Sequence, residues 1–121
     1  MRFSLTFLFH ALLISYVNCC FDTGKQGDYG KWLLGKDLAT NQEQLAVACG
    51  ALVGRGEIKF AARERRHFCI QQENGFKWDF QLKYIRSGSR AIGIEECMGG
   101  MRKEVKCLRG GQTSYYNWEY M

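Results

Sequence analysis

Few residues in this chain have the types and spacing that chemistry requires, and they concentrate in one short segment. Histidine, the side chain that titrates near neutrality, occurs only at His10 and His67. His10 falls inside an apolar N-terminal run, whereas His67 follows Glu64, Arg65 and Arg66. His67 with Glu64 is a candidate acid/base pair for a ribonuclease-like hydrolase. Beside that stands the ordinary case, a histidine on a strand edge among solvated charges. One histidine beyond the leader is too few for a two-histidine mechanism or a histidine-rich metal site. The serines lie outside Gly-x-Ser-x-Gly and every other nucleophile motif. The reading is therefore no catalytic residue, no metal site and no cofactor.

Arg63, Arg65, Arg66 and His67, flanked by Phe60 and Phe68, are the densest basic and aromatic cluster. Such a cluster is a candidate patch for an acidic partner, and equally a charged strand edge that blocks sheet-to-sheet aggregation. As exposed charges, Arg63, Arg65 and Arg66 are expected to contribute little to stability. Tyr115, Tyr116, Trp118 and Tyr120 suit either sugar stacking or a strand with one face in the core.

Compartment decides how the six cysteines are read. Met1 and Arg2 precede a run from Phe3 to Val17 that is apolar except at Ser4, Thr6, His10 and Ser15. This is the pattern of a secretory signal peptide, too short for the roughly 20 apolar residues of a membrane span. Val17 and Cys19 place small residues at the required positions, so cleavage is expected after Cys19. The secreted domain is then 20–121, with no stable membrane insertion. Losing Arg2 lowers the net charge from +5 to +4, a solvated surface rather than a nucleic-acid footprint. No Asn-x-Ser/Thr sequon is present, so N-glycosylation is not expected. In an oxidising compartment, Cys49, Cys69, Cys97 and Cys107 are expected to form two disulfides in one of three pairings. Cys20 is then left unpaired, or joins two copies into a dimer.

The elements follow from periodicity. Trp32, Leu33 and Leu34 suggest a brief first strand. Thr40 and Glu43 have capping-box spacing, so a helix is expected from Asn41 to Val53, with Leu45, Ala48, Cys49 and Leu52 on one face and Gly54 as its stop. A strand over 66–72 enters the Asn74-Gly75 turn. After it, Phe76, Trp78, Phe80, Leu82 and Tyr84 alternate with Lys77, Asp79, Gln81 and Lys83, a half-buried antiparallel strand. Ile94, Met98, Met101, Val105 and Leu108 form a helical stripe, with Glu95 and Glu96 at its start and Lys106 and Arg109 at its end. Gly99 and Gly100 inside that helix call for a close backbone approach or a disulfide-tied neighbour. A last strand is expected over 114–120. The sum is one α+β domain, a small antiparallel sheet with two helices on one face in split β-α-β style, stabilised by disulfides.

Several segments carry a resemblance: 75–80 (Gly-Phe-Lys-Trp-Asp-Phe), 96–107 from Glu96-Cys97 to Lys106-Cys107, Arg109-Gly110-Gly111, and Tyr116-Asn117-Trp118-Glu119-Tyr120. In these the chain resembles the small cysteine-rich proteins secreted by filamentous fungi, the effector-candidate class, some of which share the α/β sandwich of smut killer toxins. The resemblance implies a secreted domain that binds a host or extracellular protein or a surface glycan without catalysis. Proteins of this type commonly run on to a terminal cysteine where this chain stops at Met121, which would account for an odd thiol.

Overall fold

The computed structural model describes residues 20–36, 43–73 and 75–121. The expected signal peptide, its expected cleavage site and Thr40 lie outside the described residues. Among these described residues, two helices and four strands follow in the order α1 (Gln44–Val53), β1 (Arg65–Gln71), β2 (Lys77–Tyr84), α2 (Ile94–Val105), β3 (Thr113–Ser114) and β4 (Trp118–Tyr120). The strands form one antiparallel sheet in the order β1-β2-β4-β3. The fold is α+β, as the periodicity predicts.

The β2 alternation sets the layers. Trp78, Phe80, Leu82 and Tyr84 are buried, and they share one core with Leu45, Ala48 and Leu52 of α1 and Met98, Met101 and Val105 of α2. Lys77 and Asp79 point to the opposite, exposed side. Phe68 and Ile70 of β1 pack partly buried against the core. Trp78 also packs against Phe76, with ring centroids 4.9 Å apart, and donates its indole N–H to Gln72 Oε1 at 3.1 Å. Trp78→Ala is expected to cost about 3–5 kcal/mol and Lys77→Ala almost nothing, measured by denaturant unfolding. Equal losses would mean that the facing of β2 is wrong.

The structure departs from the sequence pattern at several ends. Trp32 to Leu34 lie in turns, closed by Leu34 N–H to Gly30 O at 2.9 Å, and Leu33 plugs the core from there. No described strand precedes α1. Glu43 stands at the N-cap of α1 without a side-chain capping bond. Its carboxylate instead accepts from Arg102 of α2, at 3.2 Å from Nε, since an ion partner across the helix pair competes for the same oxygens. α2 ends at Val105, so Arg102 and Lys103, rather than Lys106 and Arg109, occupy its last turn. The expected final strand is a hairpin, because Tyr115 N–H bonds to Trp118 O at 2.8 Å and turns the chain between β3 and β4.

The cysteines pair differently from expectation. Cys49 and Cys97, both fully buried on the facing stripes of α1 and α2, are bridged with Cα atoms 5.9 Å apart. Cys20 is bridged to Cys107, Cα atoms 5.5 Å apart, and is not the leftover thiol of a dimer. It is carried there by Phe21 N–H to Gly110 O and an isolated bridge to Gly111. Among the described residues, Cys69 is the free cysteine. Strand alternation puts it on the sheet face away from the helices, where no described cysteine faces it.

Candidate functional site

That outer sheet face collects the side chains with chemistry. β1 presents Arg65, His67, Cys69 and Gln71 there, and β2 presents Lys77, Asp79, Gln81 and Lys83. Cys69 lies directly opposite Asp79, and His67, two residues earlier, sits diagonally across. Three ligating atoms therefore converge: Cys69 Sγ donates to Asp79 Oδ1 at 2.6 Å, His67 Nε2 lies 3.3 Å from the same oxygen, and Sγ and Nε2 are 3.5 Å apart. Lys77 Nζ stands 3.9 Å from Asp79 Oδ1. The hydrogen bond to Asp79, helped by desolvation and the carboxylate's charge, raises the thiol pKa above its ordinary value. The same hydrogen bond, ahead of Lys77 and His67, holds Asp79 below the usual carboxylate range. Cys69 is thus a protonated donor, poorly disposed as a nucleophile. His67, Cys69 and Asp79 are also the described residues able to hold a metal ion.

The arginine cluster does not form a single patch. Arg65 faces outward and bridges Gln81 Oε1 at 2.9 Å and Glu119 Oε1 at 2.8 Å. Arg66, one residue on, faces the helix layer. It bonds Glu64 Oε2 at 2.7 Å, Leu52 O at 3.0 Å and Lys59 O at 3.1 Å, and lies 3.7 Å over the Phe60 ring. Arg63 occupies a turn at φ +61°. Glu64 serves this turn and Arg66, accepting from Ala61 N–H at 2.9 Å, and no contact joins it to His67, the candidate acid/base partner of the alternative hydrolase reading. Arg66 consequently holds the last turn of α1 to the start of β1, and the expectation that its loss is silent is corrected. Arg66→Ala is expected to lower stability by about 2–3 kcal/mol, through three lost charged hydrogen bonds and the exposed Phe60 ring, with Arg63→Ala within about 0.5 kcal/mol of wild type. Similar losses at both would remove that assignment.

The C-terminal aromatics divide by the hairpin. Trp118 and Tyr120 are buried, while Tyr116 is exposed with Arg86 stacked 3.6 Å over its ring. A separate cleft of about 270 Å³ opens between β2 and the end of α2, walled by Phe21, Phe76 and Trp78. Glu104 lines it as a buried carboxylate whose pKa is raised by desolvation.

Residue counting found His67 but missed its partners. Asn74-Gly75 marks a turn without fixing its length. Gln72 pairs with Phe76, leaving three residues between them, and Gly75 takes φ +84°, as a three-residue hairpin loop requires. That one-residue choice sets Cys69 against Asp79. Compared with known proteins, the chain matches no protein-family model, no curated protein and no solved structure.

Proposed function

We propose that this chain is a secreted, disulfide-stapled binding domain, effector- or toxin-like, that holds an extracellular partner, a protein or a surface glycan, and turns over no substrate. The observation that carries the reading is the outer sheet face, an array in fixed register from Arg65 to Gln71 and Lys77 to Lys83 that no described element covers. A sheet buried on one side offers the other as a rigid platform, and charged side chains in register select a partner by complementarity. The wiring supports binding over turnover. In a nucleophilic triad the histidine stands between thiol and carboxylate, whereas here one oxygen of Asp79 takes both. Two disulfides favour an oxidising compartment, and no described helix is long and apolar enough to cross a membrane.

The test is binding beside turnover. The purified chain with both disulfides formed is expected to leave RNA and glycan panels intact and to capture an extracellular partner in a salt-sensitive manner. Replacing Arg65, Lys77 and Lys83 together with serine is expected to weaken that capture at least about tenfold while moving the thermal transition little, because exposed ion pairs contribute under about 1 kcal/mol. Turnover that falls at least about a hundredfold in His67→Ala would overturn the proposal in favour of a hydrolase.

A further inference from the structure

His67, Cys69 and Asp79 bring three ligating atoms within 4.8 Å of one another, close enough to share one ion. A tetrahedral zinc ion holds sulfur at about 2.3 Å and nitrogen or oxygen at about 2.0–2.1 Å, which sets ligand-to-ligand separations of about 3.6 Å for S to N and about 3.3 Å for N to O. The measured distances are 3.5 Å from Cys69 Sγ to His67 Nε2 and 3.3 Å from His67 Nε2 to Asp79 Oδ1. Only the Sγ to Oδ1 edge, 2.6 Å with the thiol proton between the atoms, is shorter than a shared ion allows. Loss of that proton removes the attraction that closes this edge. The donor set is one soft sulfur, one imidazole and one carboxylate, and all three lie on two adjacent strands paired in fixed register.

We propose that His67, Cys69 and Asp79 bind a thiophilic divalent transition ion of the Zn²⁺ class at the outer face of the sheet. On binding, the Cys69 S–H bond breaks, its proton passes to solvent, and an S–metal bond forms with no change of oxidation state. His67 supplies Nε2 and Asp79 supplies Oδ1. Three protein ligands leave the fourth position to water or to a side chain of a bound partner. Among the described residues, Lys77 is the cation that touches the cluster, 3.9 Å from Asp79 Oδ1, and its ammonium opposes the ion.

The test uses the purified chain, both disulfides formed and Cys69 reduced, titrated with Co²⁺ and then Zn²⁺. One Co²⁺ per chain is expected, with the sulfur-to-cobalt charge-transfer absorption that reports a thiolate ligand, and Zn²⁺ is expected to abolish it. Cys69→Ser is expected to remove the band, and His67→Gln and Asp79→Asn to weaken uptake at least about tenfold. The side chains are exposed or half-buried, and an unchanged near-ultraviolet circular dichroism spectrum verifies that each variant is folded. No band at excess Co²⁺, a band that survives Cys69→Ser, or uptake indifferent to all three substitutions would overturn the site.

Discussion

Gly100→Val is expected to cost about 3 kcal/mol or more, while Gly99→Ala, one residue earlier in the same helix, is expected to stabilise the fold by about 0.5–1 kcal/mol. A Cβ on Gly100 would run into ring atoms of Tyr120, whereas one on Gly99 meets nothing within 4 Å. The Tyr120 ring has no easy retreat. It is buried, lies 5.7 Å from the Tyr115 ring, and donates its hydroxyl to Glu96 O at 3.4 Å. Burial pushes its phenol up to about 12. An unfolded tyrosine ionises near pH 10, so the stability gained by keeping Tyr120 neutral is intact below about pH 10 and is lost as pH rises toward 12. Denaturant unfolding of Gly100→Val alone, and in a Tyr120→Ala background that opens the space, separates a clash from a general helix effect. A Gly100→Val loss that persists unchanged without the Tyr120 ring would sink the account.

Gly100 marks how far the sequence could be read. A glycine in a helix interior announces a close approach, but the identity of the approaching ring depends on the β3–β4 hairpin. The alternation from Ser114 to Tyr120 looks continuous, and only the Tyr115 to Trp118 hydrogen bond reveals the reversal. Regular patterns were legible because they report burial directly: Trp78 to Tyr84 on β2, and Cys97, Met98, Met101 and Val105 on α2. The site was legible only in its histidine. Its other members, Cys69 and Asp79, are set by a hairpin register that one residue of loop length decides, and period two makes that residue the difference between faces. Arg65 and Arg66 follow the same rule, since neighbours on a strand belong to opposite sides and a run of like charges on it is not a patch.

Removing the Cys49–Cys97 bridge as Cys49→Ala/Cys97→Ala is expected to cost about 4 kcal/mol, more than removing Cys20–Cys107. Loop length argues the other way. The bridges span 48 and 87 residues, and the longer loop restricts the unfolded chain more, but only by about 0.5 kcal/mol because closure entropy grows with the logarithm of length. The native state outweighs this. Cys49 and Cys97 are fully buried between α1 and α2, so shortening both leaves a void in the packed layer. Cys20 is exposed, and the segment it anchors meets the turn that follows α2 through backbone bonds from Phe21 to Gly110 and Gly27 to Leu108. Without its bridge that segment frays locally, and the cost falls to about 2–3 kcal/mol. Cys69→Ser, which breaks no bridge, is expected to leave the unfolding midpoint within about 0.5 kcal/mol of wild type. Denaturant curves of the three variants, with peptide mapping of the parent, decide the matter. A large loss at Cys69, or a Cys69 peptide linked to any of the other four cysteines, would mean that the pairing is wrong and that the outer face holds no free thiol.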